Sequence, residues 1–470
     1  MARLLFLQKV QYEFVGVMSI SAYLKRAGHQ VDLLFKDEEK NNFFPKIKAY
    51  DPDLVAFSSM TGEHTHYLEI ATEVKKNLDV PILMGGPHTT FFPEVINHTS
   101  VDIICRGEGE EAAVELCDRL DGGQDYRDVR NLWVKQNGTI FKNDIGPGEN
   151  NLDNYPIQDR EIYYKYKYLR EYPTKPFVTA RGCPYQCSYC FNREYNQLYH
   201  GKAKVLRRYS VKRVIEEILQ VKRHYPLKRV LFNDDIFVLD KSWLEEFVPL
   251  YKREVGLPFA CNFHINIANE ELVRLLKEAG CYLACFGIES GDQELRKLIL
   301  KRNTTDEQIY QTASLFRKHD IKMKTFNMLG LPGETLKQAL KTVRINANIK
   351  TDYPWCSILQ PYPHTEIAAI AQEKGLLKKD FSLDDLESSY FFKSVFKQPN
   401  IRQLTRLQKL FFFGVRMPWT IPIIAWMVKI PFDKLYILLF GLSYTLRVGR
   451  EFHLGWSNAL RFALRHRKNL

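Results

Sequence analysis

The strongest constraint on the fold is an alternation of short apolar runs with amphipathic helical patterns, which occurs twice along the 470 residues. Strands that alternate with helices form βαβ units, and such units build parallel sheets covered by helices on both faces. The first alternation has predicted helices near Val15–Ala27, near Phe43–Tyr50 and over His64–Leu78. Its predicted strands are Leu4–Leu7, Val31–Phe35, Leu54–Ser58, Ile82–Met84 and Ile103–Cys105. Residues 1–125 are therefore predicted to form an open parallel sheet.

The second alternation predicts six further strands with helices between them. Six βα units are too few for a closed eight-stranded barrel but suit an incomplete one, whose active site would lie at the carboxyl ends of the strands. The six predicted strands are Phe177–Thr179, Arg229–Asn233, Phe259–Phe263, Leu283–Ile288, Lys322–Met328 and Trp355–Leu359. The predicted class is α/β, with a Rossmann-like (flavodoxin-like) domain at 1–125 and a partial (β/α)6 barrel at 166–375.

Two regions lie outside these predicted domains. Residues 126–165 are predicted to be a linker that contains a β-hairpin, because two strand-like runs flank Asn137-Gly138, the dipeptide favoured in tight hairpin turns. Residues 376–470 are predicted to be a helical region that is both apolar and basic. We assign no chemistry to the linker.

Three cysteines follow the first strand of the second alternation. Cys183, Cys187 and Cys190 have the spacing Cys-x3-Cys-x2-Cys. Thiolates are the usual ligands of iron–sulfur clusters, and a short loop lets three of them converge on one cubane cluster. One iron would then lack a protein ligand and be open to a substrate. The alternative is a structural zinc site, which needs a fourth ligand such as His200.

At this loop the sequence resembles the radical S-adenosylmethionine (SAM) enzymes, whose signature is CxxxCxxC with an aromatic residue before the last cysteine, here Tyr189. The resemblance implies that the three cysteines hold a [4Fe-4S] cluster. It also implies that polar groups after the barrel strands bind SAM: those after the second strand its amino group, Glu289 its ribose, and the backbone of 328–330 its adenine. The implied SAM-binding residues are Tyr189, Asn233, Asp234, Asp235, Asn262, Glu289, Asn327, Met328 and Gly330.

One position departs from the pattern of the family. His264 stands where many relatives have an arginine able to contact the SAM carboxylate, and imidazole does not reproduce the two-pronged geometry of a guanidinium. The polar groups also have a structural interpretation, since Asp234 and Asp235 are typical helix caps and Gly330-Leu-Pro-Gly is typical of a turn.

The loops after the strands of residues 1–125 are rich in glycine and hydroxyl groups. They contain no Gly-x-Gly-x-x-Gly dinucleotide fingerprint and no phosphate-binding Gly-Lys-Ser/Thr loop. The Gly-Gly-Pro-His and Gly-Glu-Gly-Glu segments resemble the cobalamin-binding domain that precedes many radical SAM enzymes. The implied cobalamin-binding residues are Gly16, Ser58, Ser59, Thr61, Gly85, Gly86, His88, Gly107 and Glu108.

Histidine ligation of cobalt is not expected in this domain. The Asp-x-His-x-x-Gly motif that supplies such a ligand in many cobalamin proteins is absent from the sequence. A flavodoxin-like domain that binds nothing is the alternative.

Charge is concentrated at the C-terminal end of the sequence. Residues 401–470 contain twelve Lys and Arg and two acidic residues, which accounts for +10 of the net charge of +12. The apolar runs Leu410–Val428 and Leu435–Leu446 are too short or too interrupted to span a bilayer, whereas Arg447–Lys468 has an apolar stripe opposite a basic face. This region is predicted either to contact an anionic membrane surface or to cap the barrel. Nucleic acid is the least favoured partner, since no binding module is recognisable.

The cellular location is expected to be the cytoplasm, with peripheral contact to the inner membrane face. Three of the nine cysteines are clustered and the other six are scattered, which favours a reducing compartment over a disulfide framework. The N-terminus lacks the apolar region and cleavage site of a signal peptide, so export is not expected.

The combined resemblance covers residues 1 to about 375 and implies a cobalamin-dependent (class B) radical SAM enzyme. In that family a radical derived from SAM abstracts hydrogen from an unactivated carbon, and the substrate then takes a methyl group carried by cobalamin. We expect a C-methyltransferase, with a lipid-like or tetrapyrrole substrate and a flavodoxin or ferredoxin as electron donor. The alternatives are a cobalamin-dependent cyclase or rearrangement enzyme, and a membrane-anchored metal-binding module without activity. Methylthio transfer is disfavoured because no cysteine precedes Cys105.

Overall fold

The computed structural model describes residues 1–9, 11–386, 389–391 and 393–451. The chain folds into two compact units. The first comprises Met1–Pro184 and Glu194–Leu231, and the second comprises Tyr185–Arg193 and the described part of Phe232–Leu470. Each unit is treated separately below.

The first unit is built on one seven-stranded sheet. Its strands are β1 (Arg3–Gln8), β2 (Gln30–Phe35), β3 (Leu54–Ser58), β4 (Ile82–Gly85), β5 (Ile103–Cys105), β6 (Leu132–Gln136) and β7 (Thr139–Lys142). The order across the sheet is β2-β1-β3-β4-β5-β6-β7. The first five strands pair in parallel, as predicted, and β6 and β7 are antiparallel. The predicted hairpin is present, and it extends the edge of the first sheet through β5.

Helices cover both faces of this sheet. They are α1 (Val15–Arg26), α2 (Lys36–Glu39), α3 (Phe43–Tyr50), α4 (His64–Asn77), α5 (Pro87–Phe91) and α6 (Glu110–Asp121). Successive strand residues point to opposite faces, so Leu4 packs in a core with α1 and α6 while Leu5 packs in a second core with α3 and α4. Two cores on one sheet are what the predicted doubly covered α/β domain requires.

Short elements lead from this sheet to the cysteine loop and beyond. They are α7 (Glu161–Tyr164), α8 (Lys167–Arg170), β8 (Thr174–Phe177), β9 (Ala180–Arg181), α9 (Asn192–Leu198), β10 (Arg207–Arg208), α10 (Val211–His224) and β11 (Arg229–Phe232). Strand β9, which comes directly before the first cysteine, pairs antiparallel with β10, which follows the cysteine loop.

The second unit contains a run of four parallel strands in the order β15-β14-β13-β12. These are β12 (Phe259–Asn262), β13 (Cys281–Glu289), β14 (Lys322–Leu329) and β15 (Tyr353–Ile358). Together with β8 and β11 they account for all six strands predicted for residues 166–375. The intervening helices are α11 (Lys241–Leu250), α12 (Glu270–Ala279), α13 (Gln293–Leu298), α14 (Asp306–Lys318), α15 (Leu336–Asn348) and α16 (Glu366–Glu373). Capping boxes at Thr305 and Thr335 fix where α14 and α15 begin.

The last strand, β15, is followed by α16 and then by three further helices: α17 (Ile401–Arg416), α18 (Ile421–Met427) and α19 (Asp433–Glu451). The apolar face of α17 buries Leu404, Leu407 and Phe411 in one core with residues of β14, β15 and α15. The helix α17 therefore packs against β14, β15 and α15 of the second unit. No helix of the described residues combines the length and the hydropathy needed to cross a bilayer. Most of the predicted basic helix at 447–468 lies outside the described residues.

Candidate functional site

A glycine fixes the approach to the cysteine loop. Gly182 has a φ of +96°, and a Cβ on it would lie 1.8 Å from the carbonyl oxygen of Val205, so a side chain cannot be accommodated there. The next residue, Cys183, is buried, and its carbonyl oxygen accepts a hydrogen bond of 2.9 Å from the Asn196 side chain. The first unit thus holds the start of the loop in one conformation.

The rest of the loop forms a tight turn in the second unit. The Cys190 amide donates to the carbonyl oxygen of Cys187 at 3.1 Å. Between them, Ser188 donates its amide to the Leu300 carbonyl at 3.1 Å, and its own carbonyl accepts from the Ile367 amide at 2.9 Å. Burial raises the pKa of the Cys190 thiol to about 11, so metal ligation must displace its proton. Among the described residues, no three His, Cys, Asp or Glu side chains are already arranged as metal ligands.

A buried polar chain lies beside this turn. The Tyr189 hydroxyl donates to Glu289 Oε1 at 3.1 Å. Glu289 follows a register shift between β13 and β14 and has a φ of +66°, a conformation that is uncommon outside glycine. Burial raises the pKa of its carboxyl, although Arg302 and the Tyr189 hydroxyl oppose that rise. Tyr189 and Glu289, which the resemblance implies bind SAM, are therefore hydrogen-bonded to each other.

Arg302 is the third residue of this buried polar group, and the sequence did not identify it as a site residue. Its guanidinium is buried, donates from Nη2 to the Gly287 carbonyl at 2.9 Å, and places Nη1 3.9 Å from Cys187 Sγ. The pKa of Arg302 is raised despite its burial, because Tyr189, Glu289 and Cys187 surround it. Arg302 lies in the polar run Lys301-Arg302-Asn303 between α13 and α14, where no local pattern distinguishes it from a surface residue.

His264 is a neutral hydrogen-bond donor in the same unit. Its ring stacks on Tyr185 at 3.7 Å between centroids and is only 3% exposed. Burial, reinforced by the charge of Arg302, lowers its pKa to about 3. Nδ1 accepts from the Asn266 amide at 3.2 Å, which assigns the proton to Nε2. His264 Nε2 and Arg302 Nε are buried without a hydrogen-bond partner among the described residues, so both fit an acceptor supplied by a ligand.

The turn after β11 is tied to the end of β12. Asn262 donates from its side chain to the Asp234 carbonyl at 2.8 Å, and its own carbonyl accepts from the Phe237 amide at 3.0 Å. Asp234 is buried, whereas Asn233 and Asp235 are exposed. The structure thus brings together Asp234 and Asn262 of the implied amino-group site. Asn233 and Asp235 are more exposed, although burial of the Asp235 carboxyl raises its pKa.

The side chain of Asn327 has a structural role. It donates to the Trp355 carbonyl at 2.8 Å and accepts from Asn346 at 2.7 Å, and so links β14 to β15 and α15. These bonds occupy both ends of its side-chain amide group. Met328 is partly buried in the neighbouring core.

The loop after β14 is organised by Glu334, a residue of the polar cluster after the fifth barrel strand for which the sequence indicated no role of its own. Its Oε2 accepts from the amides of Gly330 at 2.7 Å and Leu331 at 3.1 Å. Complete burial raises its pKa to about 8, and Oε1 has no hydrogen-bond partner in the described part of the chain. The Asn400 side chain donates to the Glu334 carbonyl at 2.7 Å, so the start of α17 is attached to this loop. Its sequence signal was an acidic residue after Gly-Leu-Pro-Gly.

In the first unit, the loops after β3 and β4 interlock. Ser58 and Gly85 are register partners, and the His88 amide donates to the Ser59 carbonyl at 3.0 Å. The His88 ring is buried, lies 3.2 Å from the Thr61 hydroxyl and stacks on a second histidine, His64. Burial and the His64 charge lower the pKa of His88 to about 3, so its imidazole is neutral.

Gly86 is the residue that lets these loops approach each other. It has a φ of +95°, and a Cβ on it would lie 2.7 Å from both the amide nitrogen and the carbonyl oxygen of Ser59. Glycine permits this close backbone approach because it has no Cβ and adopts a positive φ readily. Gly16, in the first turn of α1, is exposed with open space at its Cβ position.

Glu108 lies at the centre of an ionic network. It accepts from Arg207 at 2.5 Å and from Arg181 at 3.2 Å, and the Tyr195 hydroxyl donates to it at 3.1 Å. These partners hold the pKa of its carboxyl at about 2 in spite of burial. Gly107, beside it, has no room for a side chain because the Tyr199 hydroxyl occupies that space. The network therefore ties the Gly-Glu-Gly-Glu loop to β9, which directly precedes Cys183, and to β10.

Two family models match parts of the chain. Residues 9–117 match the family model of the B12 binding domain, and residues 177–345 match that of the Radical SAM superfamily. An uncharacterized methyltransferase of Pyrococcus horikoshii is 32% identical over 353 residues, which cover 74% of each chain.

Two further proteins are more distant. The anaerobic magnesium-protoporphyrin IX monomethyl ester cyclase of Rubrivivax gelatinosus is 26% identical over 374 residues, and the match spans 75% of this chain and 65% of that relative's length. The solved structure of the radical SAM methyltransferase TsrM from Kitasatospora setae, with cobalamin and a [4Fe-4S] cluster bound, has a TM-score of 0.69 at 18% identity and covers 99% of this chain and 100% of its own. At that identity the likeness shows the fold.

Proposed function

The chain belongs to the cobalamin-dependent (class B) radical SAM enzymes, with a [4Fe-4S] cluster, SAM and cobalamin as cofactors, and on that premise we propose that it methylates an unactivated carbon of an apolar substrate. The observation that carries the proposal is the buried chain of Cys187, Tyr189, Glu289 and Arg302 in the second unit. In this group a thiol, a carboxyl and a guanidinium lie next to one another. A thiol can ligate the cluster, and the carboxyl and guanidinium can bind the ribose and the carboxylate of SAM.

The residues of the second unit fit SAM in type and burial. Glu289 would accept hydrogen bonds from ribose hydroxyls, and Asp234 would accept from the amino group. Arg302 and His264 have buried donors that lack partners among the described residues, and we propose that they bind the SAM carboxylate. Arg302 would then supply the charge that His264, as a neutral ring, does not.

The three cysteines would hold the cluster. When bound, the cluster and SAM supply the radical that abstracts hydrogen, and cobalamin carries the methyl group. The protein orients these groups and excludes water from them, for which the burial of Cys187, Glu289 and Arg302 is suited. The remaining proposed contacts to SAM are Tyr189, Asn233, Asp235, Asn262, Asn327 and the backbone at Met328 and Gly330.

The loops of the first unit would hold cobalamin. Ser59, Thr61, Gly86 and His88 lie at one edge of the sheet, where parallel α/β sheets bind their ligands. We propose that they contact cobalamin together with Gly16, Ser58, Gly85, Gly107 and Glu108. Residues 1–125 would be the cobalamin-binding domain and 166–375 the radical SAM domain, with 126–165 between them.

The proposed substrate class is a tetrapyrrole or another apolar, lipid-like natural product. The relative from Rubrivivax gelatinosus acts, by its name, on a magnesium protoporphyrin ester. The C-terminal region is rich in exposed apolar side chains, which suits an enzyme whose substrate partitions into lipid. We propose an electron donor of the flavodoxin or ferredoxin type, and a location in the cytoplasm with contact to the inner membrane face.

A second candidate function is cyclisation or rearrangement without methyl transfer, which the cyclase relative supports. The two functions share the cluster and SAM but differ in their products. Methyl transfer consumes a second SAM and releases S-adenosylhomocysteine, whereas cyclisation does not.

Anaerobic reconstitution distinguishes these functions. The protein is loaded with iron, sulfide and cobalamin, given SAM and a reductant, and its products are identified by mass spectrometry. We expect both 5′-deoxyadenosine and S-adenosylhomocysteine. If only 5′-deoxyadenosine forms, the function is cyclisation or rearrangement and not methyl transfer. If neither product forms, the protein is a metal-binding module without activity.

Cysteine variants provide the control for this experiment. Replacing Cys183, Cys187 or Cys190 with Ala should abolish 5′-deoxyadenosine formation, since each removes one proposed cluster ligand. Cys117→Ala removes a buried thiol of α6 and should leave product formation unchanged. Retained 5′-deoxyadenosine in any of the three loop variants would refute the assignment of the cluster.

A further inference from the structure

Exposed apolar side chains are concentrated in one segment near the C-terminus. Half of the large exposed hydrophobic residues of the described chain, nine of eighteen, lie between residues 417 and 442. Trp419 and Leu438 are 71% exposed, and Trp426 and Phe432 are 64% exposed. The nine residues, called the 417–442 surface below, are Met417, Trp419, Ile423, Trp426, Phe432, Leu435, Ile437, Leu438 and Leu442. A concentration of this kind is unusual on a protein that contacts only water.

The inner face of the same segment is fully used by the fold. Ile421, Ile424, Val428 and Tyr436 are buried in the core that α17 forms with β14 and β15. Arg406 of α17 donates to the Val428 carbonyl at 3.1 Å. The apolar outer face is therefore not a core that has failed to pack. Its side chains point away from a well-anchored inner face and need another explanation.

The charges around this surface are positive. Arg416, Lys429 and Lys434 are exposed within or beside it. Asp433 is the acidic residue in the segment 417–442, and it accepts from Arg406 at 2.8 Å, which offsets its charge. The sequence from 435 to 470 adds six Lys and Arg against the single acidic residue Glu451. An anionic partner is thus complementary to the rim of this surface and to the sequence that follows it.

We propose that the 417–442 surface docks on an anionic lipid bilayer, with its tryptophans at the interface and the basic residues against the headgroups. Trp is favoured at the boundary of lipid and water because its ring is apolar and its N–H can remain hydrated. No described helix here is both long enough and apolar enough to span a bilayer, so we place the segment on the membrane surface. This inference deepens the membrane contact proposed above and names the residues that make it.

Chemistry favours lipid over a second copy of this chain as the occupant. A self-complementary interface would bring the basic rim of one copy against the same rim of the other, which is repulsive. On an anionic bilayer the headgroups would neutralise that rim, and the apolar side chains would enter the acyl boundary beneath the headgroups.

Sedimentation with sucrose-loaded vesicles tests the inference on the full chain. We expect binding to vesicles of phosphatidylcholine with about 30% phosphatidylglycerol, weakened when NaCl is raised from about 0.1 to about 0.5 M because salt screens the charges. Trp419→Ser/Leu438→Ser should lower the partition coefficient roughly 10- to 100-fold, since two large apolar side chains no longer enter the interface. The matched control, Tyr310→Ser/Leu298→Ser, removes an exposed aromatic and an exposed leucine elsewhere in the second unit and should bind as the wild type does.

A second measurement needs no variant. Phosphatidylglycerol with brominated acyl chains should quench tryptophan fluorescence of the wild-type protein, because Trp419 and Trp426 would reach the acyl chains. Absence of both vesicle binding and quenching would overturn the inference, as would equal binding by the two double variants. Concentration-dependent dimers that Trp419→Ser/Leu438→Ser abolishes, without vesicle binding, would assign the surface to a second copy. Vesicle binding requires no cluster, SAM or cobalamin, so its failure is distinguishable from failure of the proposed reaction.

Discussion

Replacing Arg302 with Met should weaken SAM binding to the cluster-loaded protein by roughly 10- to 150-fold. The guanidinium is buried, holds the Gly287 carbonyl at 2.9 Å, and retains a donor, Nε, that has no partner in the described chain. Methionine has a similar length and is apolar, so it fills most of the space while removing the charge and all five N–H donors.

The magnitude follows from the type of bond that would be lost. A hydrogen bond to a charged group contributes about 1.5–3 kcal/mol, and each 1.4 kcal/mol changes an affinity about tenfold. His264 cannot compensate, because burial keeps its pKa at about 3 and its ring therefore carries no charge near neutrality. The loss should appear in the dissociation constant of SAM.

Equilibrium dialysis with labelled SAM, under anaerobic conditions and at equal iron content per chain, measures this constant. Arg302→Lys should give an intermediate value, since ammonium keeps the charge but not the fork geometry. Arg317→Met, which removes a guanidinium of α14 that bonds the Ile349 carbonyl, is the matched control and should bind SAM normally. An Arg302→Met affinity within about threefold of wild type, with the cluster intact, would refute the role assigned to Arg302.

Three further predictions concern the loops. Gly86→Ala should destabilise the protein by about 1–3 kcal/mol in urea unfolding, because a Cβ would lie 2.7 Å from the Ser59 backbone at a φ of +95°; unchanged stability would show that the two loops can separate. Glu334→Gln should flatten the pH dependence of stability between about pH 4.3 and pH 8. Burial raises the pKa of Glu334 to about 8 in the folded protein. Its contribution to folding stability is therefore fully present below the pKa of the unfolded chain and is lost as pH rises from that value to about 8. A pH profile of stability that Glu334→Gln leaves unaltered would contradict this. Ionisation of Glu108 changes the folding stability in the opposite direction. Its pKa is held at about 2, mainly by Arg207 against the effect of burial, so its contribution to stability is lost as pH falls from about 4 to about 2. Glu108→Gln should cost about 3–5 kcal/mol at pH 7, because buried guanidinium charge is left unpaired, and a loss below about 1 kcal/mol would argue against the network.

The sequence by itself determined the fold class and the cofactor chemistry. Strand positions were predicted to within a few residues, as for β12, predicted at Phe259–Phe263 and found at Phe259–Asn262. This succeeds because apolar periodicity is a local property, set by which face of an element is buried. The spacing of Cys183, Cys187 and Cys190 is equally local, since a short loop limits how three ligands can converge. Those two features, together with the resemblance of the Gly-Gly-Pro-His and Gly-Glu-Gly-Glu segments to cobalamin-binding domains, indicated the family.

Only the tertiary structure showed which polar side chains are engaged by the scaffold and which have buried polar atoms without a partner among the described residues. Asn327 and Arg302 are both polar residues in the predicted barrel, yet the first links two strands and a helix while the second contacts Gly287 beside Cys187. The same holds for the C-terminal region, where Ile424 is buried and Trp426, two residues later, is exposed. Burial, partner and pKa depend on residues distant in the chain, and composition and spacing carry no information about those neighbours.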